Sequence, residues 1–170
     1  MTTDEGLSAE RREFLSALSK HRRLFTATLT GLTDEQAAAR TTVSELCLGG
    51  LVKHVGQTEA QWAAFAREGA AAFPSFEDVD WQARADSFRL LPGETVAGVL
   101  ADHAAVAART DDLVRTLDLD LAHELPRAPW FERERWSVRR VLLHLVAEIA
   151  QHAGHADLLR EAIDGRKSMG

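Results

Sequence analysis

The residues able to do chemistry crowd into one stretch, Trp136-Ser137-Val138-Arg139-Arg140-Val141-Leu142-Leu143-His144-Leu145-Val146-Ala147-Glu148-Ile149-Ala150-Gln151-His152-Ala153-Gly154-His155. His144, Glu148, His152 and His155 follow one another at intervals of four, four and three, the intervals that share one side of an α-helix. At about 100° per residue, Val138, Val141, Leu142, Leu145, Ile149, Ala156, Leu159 and Ile163 define an apolar face. On that wheel His152 lies about 30° from the centre of the face, Glu148 about 70° and His144 about 110°. His152 is therefore expected to be buried, with Glu148 on the shoulder of the core. The two are separated by about 6 Å of axial rise, which two ligands of one metal can bridge.

A buried histidine and carboxylate supply two of the three protein ligands of an open, catalytic zinc-type site, so a third must come from another helix. In the second helical pattern Leu51, Val55, Trp62 and Ala66 mark the buried face, and His54 lies on its shoulder near Thr58 and Phe65. His54, Glu148 and His152 together form an N2O set with positions left for water, substrate or a thiolate. Plainer readings stand beside this one. A lone core histidine is more often hydrogen-bonded than metal-bound, and Glu148 with His152 has the spacing of a simple helical ion pair. His144 and His155 sit nearer the polar edge and compete as ligands; His155 also suits a role backing the ligands or lining their pocket. His21, on the apolar stripe of the first helix, either lines the same cavity or is a satisfied core histidine. His103 and His123 read as solvent-side or loop residues.

Other reaction classes lack their signatures. The chain has no His-Glu-x-x-His, paired Cys-x-x-Cys, glycine-rich phosphate loop or Gly-x-Ser-x-Gly elbow. Cys47, flanked by Leu46 and Leu48, reads as a small buried apolar residue ahead of a nucleophile. Trp62 reads as core, while Trp130 and Trp136 flank a loop and are placed to cover a pocket mouth.

The elements that must position these side chains are helical. Tyr is absent and Ala, Leu, Arg and Glu dominate, so propensity favours helix throughout. Phe14, Leu18, Phe25, Leu29 and Leu32 mark the buried face of a first helix, Leu7 to Gly31. Thr33-Asp34-Glu35-Gln36 has the capping-box form and predicts a short helical turn. A second long helix spans about Leu48 to Arg67, Phe73-Pro74-Ser75-Phe76 breaks the pattern, and Asp78 to Phe88 suits a short helix. Leu91-Pro92-Gly93-Glu94 opens a third long helix reaching about Leu117. Asp118 to Trp136, with Pro126 and Pro129, reads as a long crossing connection. Ser137 caps the fourth helix, which ends at Gly165. The expected fold is all-α: one four-helix bundle with a long crossover, over residues 1–170.

Composition narrows the partners. With 170 residues, 45% hydrophobic and 27% charged, the chain is neither disordered nor built to span a membrane. A single cysteine allows no internal disulfide, and the acidic N-terminus lacks the pattern of a secretory signal, so a cytoplasmic location is expected. The formal charge of −6 and the scattered arginines make nucleic acid an unlikely partner.

At these residues the chain resembles the DinB/YfiT-like metalloenzyme superfamily. Within it the likeness is to the actinobacterial branch that includes mycothiol-dependent maleylpyruvate isomerase and the mycothiol or bacillithiol S-transferases. The resemblance is carried by Trp136 to Arg139, Leu143-His144, Glu148, and His152-Ala153-Gly154-His155-Ala156-Asp157-Leu158-Leu159-Arg160-Glu161. Gly31 to Gln36 and Leu51-Val52-Lys53-His54-Val55 support it. Many relatives use three histidines, whereas this chain has Glu148 at the middle position. The resemblance implies a DinB-like bundle holding zinc or nickel on His54, Glu148 and His152, with a mycothiol-like thiol as co-substrate. It also implies a detoxifying S-transferase that attacks an electrophilic small molecule. Two neutral imidazoles and one carboxylate leave a net +1 on a divalent ion, which a bound thiolate neutralises. Two other classes use the same ligands. One is a metal-dependent hydrolase, with His155 or His21 as general base. The other is a non-enzymatic, stress-associated metal- or ligand-binding bundle that dimerises through an exposed helix face.

Overall fold

The computed structural model describes residues 6–168. Six α-helices follow in order: α1 (Ala9–Ala27), α2 (Asp34–Ala38), α3 (Leu48–Glu68), α4 (Trp81–Ser87), α5 (Val96–Thr116) and α6 (Val138–Asp164). The four long ones, α1, α3, α5 and α6, form the bundle, and the mainly helical fold class is as expected. In the bundle α1 packs on α6 and α5, and α3 packs on α5 and α6. Both α1→α3 and α5→α6 therefore join helices on opposite corners, so the chain crosses the bundle twice. Such crossings need long connections, and these supply the material beside the helices from which a cleft can be made.

Local chemistry sets the helix ends. Side chains of Ser8, Thr33, Thr95 and Ser137 accept backbone N–H groups at the starts of α1, α2, α5 and α6, filling donors that a first helical turn leaves open. At Thr33 the partner Gln36 answers with its own side chain, completing the capping box. Gly165, in the left-handed region at φ 77°, ends α6. Inside, Phe14, Leu18 and Phe25 of α1 meet Leu51, Val55 and Phe65 of α3, Leu113 and Val114 of α5, and Leu142, Leu145 and Ile149 of α6. No described helix is long and apolar enough to cross a membrane.

Three expectations need revision. The first helix stops at Ala27 and α5 starts only at Val96, with a turn over residues 91–94. The 118–136 connection carries a small antiparallel hairpin, β1 (Ala122–Glu124) on β2 (Arg135–Ser137), pairing His123 with Trp136. Ladders three residues long show no alternation that a sequence pattern could reveal. His103 and His123, read as solvent-side or loop residues, are packed inside. His103 on α5 is buried against Gly56 and Phe25, with Nε2 unpartnered, and burial holds its pKa below the usual value. His123 lies on β1 against Phe65 and Gly69.

Candidate metal centre and its cleft

His54 is placed by the backbone that crosses α3 at Gly50. The carbonyl of Phe88 fills the space a Cβ would occupy at Gly50, so the end of α4 lies directly on α3 only because residue 50 has no side chain. That approach stacks the Phe88 ring on His54, centroids 3.7 Å apart and 24° from parallel. It also brings Ser87 Oγ to 3.0 Å from His54 Nδ1. The Ser87 hydroxyl spends its one proton on the Arg84 carbonyl, 2.7 Å away. Its oxygen therefore accepts from Nδ1–H of His54, which leaves Nε2 unprotonated, with the Thr58 hydroxyl 3.5 Å away as its neighbour. Burial, with smaller contributions from His152 and Arg84, pushes the His54 pKa down to about 4 despite Glu148. The imidazole is neutral at physiological pH, the form a metal needs.

From α6, Glu148 presents Oε2 to His152 Nε2 at 3.6 Å and Oε1 to His144 Nε2 at 3.7 Å. These imidazoles, His152 foremost, outweigh partial burial and hold the Glu148 carboxyl below its ordinary value, so it is ionised. His144 is pushed down chiefly by burial. His152 is half-buried, short of the full burial expected from the helical wheel; Ala153 and Ile149 take the core instead. The rings of His54 and His152 meet edge to face at 5.6 Å. Two imidazoles on one tetrahedral ion, each with a metal–nitrogen bond of about 2.0–2.1 Å, carry their centroids roughly 5 Å apart. The donors thus suit a zinc-type ion in type, protonation state and ring separation. As the side chains stand, no three His, Cys, Asp or Glu groups among the described residues are gathered within reach of one cation.

His155 is exposed and contacts His152, Nδ1 to Nδ1 at 3.5 Å. His21 lies half-buried on α1, outside the cleft described next. Cys47 is buried, its thiol 3.7 Å from the Phe88 carbonyl, as suits a small packed residue.

His54, His144 and Glu148 line the floor of an open cleft of about 850 Å³. Its walls come from the connections: Phe73, Phe76 and Trp81 before and within α4, and Trp130 and Phe131 from the α5–α6 crossing. Trp62 is buried at the cleft edge, stacked at 5.0 Å on Trp136, which lies behind it. The covering role expected of both loop tryptophans thus falls to Trp130. Sequence reasoning missed Ser87 and Phe88, since nothing in a single sequence marks contacts between a short helix and α3. It also missed the aromatic wall, for which the run Phe73-Pro74-Ser75-Phe76 was a usable signal: large apolar rings in a segment that cannot be core helix.

The sequence profile of a family described as mycothiol-S-transferase matches residues 13–165. A crystal structure of the conserved protein of a locus from Enterococcus faecalis superposes with a TM-score of 0.67 at 17% identity, covering 91% of this chain and 97% of that one. At that identity the likeness concerns the fold. No curated protein matches the sequence.

Proposed function

We propose that this chain, which belongs to the mycothiol-S-transferase family, joins mycothiol or a similar small thiol to electrophilic small molecules, with a divalent cation held by His54, Glu148 and His152. The observation that carries the proposal is the meeting of a neutral His54, its Nε2 unprotonated, with an ionised Glu148 on the floor of a cleft and with His152 beside them both. A bound cation supplies the positive charge that favours the thiolate over the thiol near neutral pH.

This chain's own residues do the rest. Ser87 fixes the tautomer and Phe88 the plane of His54. His144 lies beside the second oxygen of Glu148, and His155 contacts His152 from the solvent side. The aromatic walls flank the floor with apolar surface. A hydrolase would use the same donors, and His155 is the candidate base nearest to them; His21 does not reach the cleft.

The test has two parts. Protein purified without added metal should contain close to one equivalent of zinc or nickel, and His152→Ala should lose it. Turnover of an electrophile should require added thiol. Metal-free wild-type protein, or hydrolysis that proceeds without thiol, would overturn the proposal.

A further inference from the structure

The floor of the cleft is lined by polar groups, and its walls by aromatic rings. Phe76, Trp81 and Trp130 form a three-ring cluster, centroids 5.3 to 6.1 Å apart and edge to face. All three remain exposed, Trp81 and Trp130 by more than half. Trp130 also contacts Phe131 at 6.3 Å, which links the cluster to Trp62 and hence to His144. An unbroken series of rings thus runs from the mouth of the cleft to its floor. Leaving such large apolar faces in water is costly unless something covers them.

Two classes of ligand bind indole faces: cations, and flat rings. The rings of the cluster touch one another, so no gap between them can enclose an ammonium group. Among the described residues Arg84 and Arg127 line the same cleft without an ion pair, and their two charges offset the carboxylates of Asp80 and Glu148, so the lining has no excess of negative charge to draw a cation. Asp80 in the lining is engaged in capping α4. A neutral, electron-poor ring satisfies both constraints, since it stacks on the electron-rich indole and is tolerated by guanidinium groups. The substituents that withdraw electrons from a ring also make its carbon open to attack by sulfur.

We propose that the electrophile is an electron-poor aryl compound, stacked on the Trp81–Trp130 wall with its reactive carbon toward the His54–Glu148 floor. This rests on the transferase reading. With 1-chloro-2,4-dinitrobenzene the thiolate lone pair forms the S–C bond at the chlorine-bearing carbon. The C–Cl bond breaks, chloride leaves with the bonding pair, and the thiol proton passes to buffer; nothing is oxidised or reduced.

The wall is tested apart from the chemistry by calorimetric binding of the unreactive 2,4-dinitrobenzyl alcohol to wild-type protein without thiol. Its Kd should rise about tenfold in Trp130→Ala and Trp81→Ala and be restored in Trp130→Phe, a change typical of one lost stacking partner. Phenyltrimethylammonium should not bind. In turnover with mycothiol, the ratio of kcat/KM for 1-chloro-2,4-dinitrobenzene to that for iodoacetamide should fall by a similar factor in the alanine variants. Binding that depends on Trp130 with no thiol-dependent turnover of either electrophile would sustain the wall and sink the transferase. Turnover of both electrophiles with a ratio unmoved by Trp130→Ala, or preferential binding of the ammonium compound, would overturn the aryl assignment.

Discussion

At the scale of single residues, the proposed site depends as much on groups that hold ligands as on the ligands. Ser87 is the clearest case, because its hydroxyl is committed to a backbone carbonyl and so dictates which nitrogen of His54 carries the proton. Ser87→Ala should weaken zinc affinity about 10- to 100-fold, the usual effect of removing a partner of a ligating histidine. A competition titration against a chelating dye measures this, and an unchanged melting temperature separates it from unfolding. That His54, Glu148 and His152 lie near one another was legible in the sequence, because periodicity alone aligns groups along one helix and places shoulders on another. Ser87 was not, since it sits 33 residues from His54 and the approach depends on tertiary contact. His103 misled for the opposite reason: its Ala-rich surroundings give a weak period, and the absence of a polar partner gives no hint of burial.

Among elements, the approach of α4 to α3 decides where the ligands stand. Gly50→Ala would drive a methyl group into the Phe88 backbone, and backbone cannot yield as a flexible side-chain end does. The cost should be about 1–3 kcal/mol, read as a lower denaturation midpoint. Gly154→Ala on α6 is the control: nothing lies near the added carbon, and removing a mid-helix glycine should stabilise by about 0.5–1 kcal/mol. The long helices and the capping box were readable because each repeats a local rule many times. The hairpin was not, because Ala122–Glu124 and Arg135–Ser137 find order in tertiary contacts: each other, Phe65 and the Gly69 turn against His123, and Trp62 against Trp136.

For the whole molecule, arginines that look scattered in sequence turn out to tie helices together. Arg11 donates to the Val114 and Leu117 carbonyls at the end of α5, and Arg160 reaches from α6 to Thr28 and Thr30 beyond α1. Arg22 of α1 forks onto buried Glu59 of α3, at 2.6 and 3.2 Å, and reaches Asp111 of α5. Glu59→Leu should destabilise by about 3 kcal/mol because it leaves the buried guanidinium with Asp111 alone, while the double change Arg22→Met with Glu59→Leu should recover most of that loss. Chemical denaturation of the three variants measures both effects, and non-additivity is the signature of the pair.

The bundle and the cleft walls are under different structural constraints. The floor groups sit on α3 and α6, whose other faces are the core, so a change there is felt by the entire fold. The side chains of Trp81, Phe76 and Trp130 are exposed and stand outside the core cluster. Under the proposed function, those three side chains can be exchanged without disturbing the core, so the compounds admitted can change while the floor stays as it is.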